Sequence, residues 1–145
     1  MGTKVKSGGG VVDVLIVAQP SRFRDGLKAI VQALAWVGKA GTVEQWTAVS
    51  DYVLRYQPAI VIFDINDLAP ITWVEAGYLR SACQNTKCIA IIDRAQQRSM
   101  AQAMETDAIL LRGFSTELLY DTMRTLIVAY DPAVPVTGPL GQIRS

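Results

Sequence analysis

Two side chains of opposite charge mark the positions where this chain could do chemistry. Asp64 ends the apolar run Ile60-Val61-Ile62-Phe63, and Arg112 ends the run Ala108-Ile109-Leu110-Leu111. An apolar run without alternation reads as a strand buried on both faces, the habit of central parallel strands. In an open α/β sheet, ligands bind outside the carboxyl ends of the strands. Asp64 and Arg112 therefore fall where such a sheet would hold its ligand. The other residues that follow apolar runs are Ala18-Gln19-Pro20, Gly41, Ile65-Asn66-Asp67 and Asp93-Arg94.

This set excludes several chemistries. The sequence has no histidine, which removes histidine-based triads, histidine-ligated zinc, a histidine phosphocarrier and a histidine-ligated cobalamin. No GxGxxG follows the first strand, and there is no GxxxxGK[ST] and no GxSxG, so dinucleotide, P-loop and nucleophile-elbow sites are not expected. Cys83 and Cys88 have no metal spacing and read as small buried hydrophobes. An enzyme would lack a base, a nucleophile and a cofactor loop.

The elements that position these residues follow from hydrophobic periodicity and punctuation. The first strand is Val12 to Val17. A helix follows, capped by Ser21, with Phe23, Leu27, Ile30, Val31 and Leu34 on one face. A short second strand fits Trp36 to Gly41. Thr42-Val43-Glu44-Gln45 reads as a capping box opening a second helix to about Tyr56, with Trp46, Val49 and Val53 inward. Gln57-Pro58 stops that helix, and the strand ending at Asp64 begins. A loop with Pro70 leads to a second capping box, Thr72-Trp73-Val74-Glu75, and a third helix whose Gly77 weakens it. The fourth strand is Cys88 to Ile92, followed by a weak helix from Gln97 to Thr106. The fifth strand, Ala108 to Leu111, precedes a helix capped by Ser115 with Leu118, Leu119, Met123, Leu126, Ile127 and Tyr130 apolar. Strands alternating with helices through short turns predict one parallel sheet with right-handed crossovers and helices on both faces. Trp36, Trp46, Trp73, Met100 and Met104 read as packing residues.

The chain has 145 residues, half of them hydrophobic, and a formal charge of +1. That is the size and composition of one globular domain. The expected organisation is a flexible leader over 1–10, a folded domain over 11–130, and a linker or frayed tail over 131–145. Scattered Lys and Arg leave no nucleic-acid or lipid footprint. No run is long enough to span a membrane, and no signal-peptide core is present, so a cytoplasmic protein is expected.

The order of these pieces resembles the receiver domain of bacterial two-component response regulators. The resemblance covers about Val12 to Ala129. It rests on Val14-Leu15-Ile16-Val17 with Phe23-Arg24-Asp25-Gly26-Leu27-Lys28, on Gln57-Pro58-Ala59-Ile60-Val61-Ile62-Phe63-Asp64, and on Asp107-Ala108-Ile109-Leu110-Leu111-Arg112-Gly113. It implies a flavodoxin-like (CheY-like) doubly wound sheet of strand order 2-1-3-4-5. It makes Asp64 the candidate phospho-acceptor for a sensor kinase. Mg²⁺ would be held by that aspartate, an acidic pair after the first strand and the carbonyl of Asn66.

The sequence departs from this pattern. The acidic-pair positions are Ala18 and Gln19. The Ser/Thr position falls on Ile92 or Asp93. The aromatic switch position is Ile109, and the lysine position is Arg112. Mg²⁺ needs hard oxygen ligands, and phosphoryl transfer needs the metal to offset developing charge. The expectation is a degenerate receiver, or pseudo-receiver, with no cofactor, in which a fixed Asp64–Arg112 ion pair mimics one state. It would act by contact with a kinase, an output protein or an output domain. Two alternatives stay open: a phosphorylatable receiver that uses Asp64 with Mg²⁺, and a flavodoxin-like domain that binds a small ligand. Asp64 could also be a mere loop cap, and Asp93 a solvated turn residue or the cap of the fourth helix. A weak homodimer or partner site is expected on the face of the fourth helix, fifth strand and fifth helix, with Tyr120 and Arg124 as candidates. The stretch Ala129-Tyr130-Asp131-Pro132-Ala133-Val134 resembles a linker into an output domain.

Overall fold

The apolar runs form the strands and the amphipathic stretches cover them. A computed structural model describes residues 11–67 and 73–130. The leader over 1–10, the loop around Pro70 with Thr72, the tail over 131–145, and the side chains of Asp67, Trp73, Ala129 and Tyr130 lie outside the described residues. In chain order the elements are β1 (Val12–Val17), α1 (Arg22–Gln32), β2 (Val37–Val43), α2 (Val49–Tyr56), β3 (Ile60–Asp64), α3 (Trp73–Ala82), β4 (Lys87–Ile92), α4 (Arg98–Ala103), β5 (Ala108–Leu111) and α5 (Thr116–Tyr130). The strands make one five-stranded sheet of order β2-β1-β3-β4-β5. Every pairing is parallel, as expected.

Strand periodicity sorts the core into two layers. Val14, Ile16, Ile60, Ile62, Ile89 and Ile91 face α1 and α5, where Leu27, Val31, Leu119, Met123 and Ile127 meet them. Leu15, Val17, Val61, Phe63 and Cys88 face the other way, onto Val49, Ala76, Leu79, Cys83 and Met104. All five residues of β3 are buried, so its unbroken hydrophobicity reflects cover on both faces. Both helix caps at serine form: Ser21 accepts from the Arg24 N–H and Ser115 from the Leu118 N–H, each at 3.0 Å.

Three expectations are corrected. The second strand starts one residue later than expected and runs on through Val43. Trp36 precedes it, buried under α1, while Thr42 and Val43 pair with Ile16 and Val17. The capping box at Thr42 therefore does not form, because a β-branched residue beside an open strand edge gains more from the ladder. The chain enters α2 through a 3-10 turn, Trp46–Ala48, without a side-chain cap. The fourth helix is shorter than expected. A 3-10 turn, Ala95–Gln97, leads into α4, which ends at Ala103. Finally, Tyr120 and Arg124 do not face outward. Each is 6 % exposed, on the inner side of α5. The Tyr120 hydroxyl donates to the Ile30 carbonyl of α1 at 2.5 Å, and Arg124 pairs with Asp121 at 3.0 Å. Helical spacing from Leu119, Met123 and Ile127 carries both side chains to the core side. The solvent-facing large apolar residues near β5 are Leu111 and, on α5, Leu118 and Val128.

Candidate functional site

The carboxyl ends of β1, β3, β4 and β5 converge on Asp64. It is the last residue of β3, paired in register with Ile91 and 1 % exposed. Arg112 is the first residue past β5. Its N–H donates to the Ile92 carbonyl at 2.7 Å, which extends the β4–β5 ladder by one bond and fixes where its side chain departs. Gly113 then takes φ +100°, open to glycine at no steric cost, and the Phe114 N–H closes the turn onto the Leu111 carbonyl at 3.1 Å.

From there Arg112 reaches back across the strand ends. One guanidinium nitrogen, Nη2, lies 2.5 Å from Asp64 Oδ2. The guanidinium carbon lies 4.0 Å from the centroid of the Phe23 ring. Phe114 meets Phe23 edge-on, with centroids 6.4 Å apart. The cation is thus held between a carboxylate and an aromatic face, a geometry that suits a planar guanidinium. The expected Asp64–Arg112 pair is present. Phe23 read from sequence only as core, and nothing in its helical position signalled that it backs the cation.

The remaining positions are arranged around this pair. Ala18 is fully buried in the α1-side core, and its N–H donates to the Val43 carbonyl at 3.0 Å. Gln19 is exposed and donates its amide to the Glu44 carbonyl at 2.7 Å, toward β2. Asn66 lies in a 3-10 turn, Ile65–Asp67, and its Oδ1 accepts from Gln97 Nε2 at 3.1 Å. Gln97 Oε1 in turn accepts from the Asp93 and Arg94 N–H groups at 2.6 and 3.2 Å. Gln97 therefore ties the loop after β3 to the loop after β4, a role its place in a weak helix did not reveal. Ile92 is the last residue of β4 and fully buried with Ala90 and Ala101. Asp93 is the first residue beyond it and is exposed, so it stands as a solvated turn residue. Ile109 is half-buried against the Ala90–Ile92–Ala101 cluster.

This architecture is found in solved structures. Over 80 % of this chain and 98 % of that chain, it is similar to a DNA-binding response regulator of the LuxR family from Staphylococcus aureus, at TM-score 0.66 and 19 % identity. It is similar to the response regulatory domain of protein mrkE from Klebsiella pneumoniae, at TM-score 0.68 and 13 % identity over 83 % of this chain and 98 % of that one. The chemotaxis response regulator CheY4 of Vibrio cholerae matches at TM-score 0.65 and 16 % identity, over 80 % and 98 %. The chain has the receiver fold. The likeness is carried by backbone course and strand order. No protein-family model and no curated protein matches the sequence.

The receiver fold implies Mg²⁺ at the β3 end, and the described residues around Asp64 do not fit it. Position 18 offers a methyl group, position 19 an amide turned toward β2, and Asp64 Oδ2 is engaged by Arg112. Among the described residues no group of three His, Cys, Asp or Glu side chains is placed to hold a metal ion. Among them, too, no helix is long and apolar enough to cross a membrane.

Proposed function

We propose that this chain is a receiver-like module of phosphorelay signalling that works by protein–protein contact and does not transfer phosphoryl groups efficiently. The observation that carries the reading is the Arg112 guanidinium on Asp64, backed by Phe23. In a phosphoryl-transfer site, charge developing on the transferring group must be offset by metal and positioned donors. Here the Arg112 cation already pairs with the buried Asp64 carboxylate, and positions 18 and 19 carry no acid. The module would be non-enzymatic, held in one state by its own arginine, and would need no bound cofactor. Its contacts would be with a kinase, an output protein or an output domain. The solvent-facing Leu111 and Leu118, beside the sheet edge at β5, support that face as the contact surface in place of Tyr120 and Arg124.

The test is incubation with a small phosphodonor and Mg²⁺, read by intact mass. The expected result is no adduct in the wild-type chain, and an unchanged result for Asp64→Asn. A stoichiometric phosphate adduct that disappears in Asp64→Asn would sink the proposal and establish a phosphorylatable receiver.

A further inference from the structure

α2 and α3 cover the face of the sheet away from α1 and α5. At the end of the sheet opposite Asp64, a groove of about 680 Å³ runs between their last turns and the segments that enter β3 and β4. It is lined by the outward-facing Leu54 and Tyr78 and by the more buried Val53 and Pro58. Leu54 is 78 % exposed and Tyr78 67 %, and Val74, one turn before Tyr78 on α3, is 70 % exposed. Large apolar side chains gathered in solvent on two adjacent helices mark an interaction surface, because a cover would remove their area from water. The polar part of the lining is made of hydroxyls and amides, among them Gln57 and Asn85, and none of the described lining residues is charged. The groove thus suits an occupant that is apolar and brings no charge.

We propose that this groove is the docking site of the chain's own segment over 132–140, which follows α5. The segment reads Pro132-Ala133-Val134-Pro135-Val136-Thr137-Gly138-Pro139-Leu140 and carries no charge, as the groove requires. Proline fixes its own φ and pushes the residue before it toward extended backbone. Pro132 and Pro135 have the P-x-x-P spacing of segments that dock as polyproline II in aromatic-lined grooves, at low entropic cost. Tyr78 supplies the aromatic wall, and Leu54, Val53 and Pro58 supply apolar contact for Val134, Val136 and Leu140. Polyproline II makes no internal hydrogen bonds, so its carbonyls need donors, and the Gln57 and Asn85 amides stand on the rim. The segment also reaches. α5 runs antiparallel to the strands, as α2 and α3 do, so all three end at the groove's end of the sheet. Passing from the α5 layer around that end to the other face covers about 20 Å, two layer spacings. The ten residues from Asp131 to Leu140 span about 30 Å as polyproline II. The segment over 1–10 joins the sheet at the same end, but its Lys4 and Lys6 would bring two cations for which the described lining has no counter-charge.

The experiment places a photo-cross-linker in the full chain as Tyr78→p-benzoylphenylalanine, irradiates it in dilute solution, and separates monomer from cross-linked dimer in denaturant. Tryptic peptides of the monomer are then mapped by mass. The peptide over 56–80 should be joined to the peptide over 125–144, with the link inside 132–140. Adding Leu54→Asp, which puts a charge into the groove, should lower the yield of that link about fivefold. Its side chain is already in solvent, so the melting temperature should stay within a few degrees. Leu118→p-benzoylphenylalanine, exposed on α5 and away from the groove, should give at most about a fifth of the yield from position 78, which separates docking from random collision. A monomer with no link to 132–140 would overturn the proposal. So would equal yields from positions 78 and 118, or a yield that Leu54→Asp leaves unchanged. Links between chains in place of the intrachain link would put a second copy in the groove and overturn it as well. None of these readouts depends on whether Asp64 accepts a phosphoryl group.

Discussion

Arg112 is the residue on which the proposed state of the crevice depends. Removing it takes the Arg112 cation away from the Asp64 carboxylate, which is 1 % exposed. Breaking a buried pair from one side costs about 3–5 kcal/mol. The Arg112 side chain is 28 % exposed, so solvent moderates the loss. Arg112→Ala is expected to lower unfolding free energy by about 2–3 kcal/mol in urea titration. Adding Asp64→Asn to that variant should recover part of the loss, since the buried negative charge is gone. Arg112→Lys keeps the charge but loses the guanidinium contact with the Phe23 face, and should fall between wild type and Arg112→Ala. Full additivity of the Asp64 and Arg112 changes would show that the pair is not coupled.

At the scale of elements, a hydroxyl hydrogen bond joins α5 to α1 beside their shared apolar packing. Tyr120 donates to the Ile30 carbonyl, and burial raises its pKa above the ordinary value of 10.0. The folded state therefore favours the neutral phenol. Its contribution is complete below the unfolded pKa and is lost as pH rises through the folded one. Tyr52 is shifted the same way, by burial first and then by Asp13 and Tyr56. Stability is expected to fall at pH values above about 10. Tyr120→Phe should cost about 1 kcal/mol near neutral pH through the lost hydrogen bond, and its gap from wild type should narrow in alkali. Thermal melts at a series of pH values would check both statements. A gap that widens in alkali would contradict the assignment. The end of α2 offers a change in the other direction. Gln57 holds φ +49° and ψ +57°, a left-handed conformation that costs a non-glycine residue about 1 kcal/mol. Gln57→Gly is expected to raise the melting temperature by a few degrees, and a lowered melting temperature would contradict this.

At the scale of the whole molecule, the sheet of the described residues has β2 and β5 as its edge strands. Edge strands invite pairing unless they are short, charged or covered. β5 is only four residues long and carries the exposed Leu111, with Leu118 exposed on α5. Self-association through this face should be weak and concentration-dependent in sedimentation velocity. Leu111→Lys should abolish it while leaving the melting temperature within a degree or two, because the side chain is already in solvent. Association that persists in Leu111→Lys would place the contact elsewhere.

The strands were legible from sequence because both faces of the sheet are covered. Ile60 to Phe63 and Cys88 to Ile92 needed no partner to reveal an apolar run ending on Asp64 and at Asp93, and the alternation with helices required parallel pairing. The serine caps at Ser21 and Ser115 were equally local. Signals shared between neighbours in space were not. Thr42 satisfied a capping pattern in sequence, but the open edge of β1 took it into a ladder. Tyr120 and Arg124 are polar enough to read as surface, yet helical phase set by Leu119, Met123 and Ile127 turned them inward. The pairing of Asp64 with Arg112 could be anticipated from strand order, since both close adjacent regions of one crevice. The Phe23 ring behind the guanidinium and the Gln97 bridge to Asn66 could not. Each joins side chains from separate elements at distances that only the packing of helices on the sheet determines.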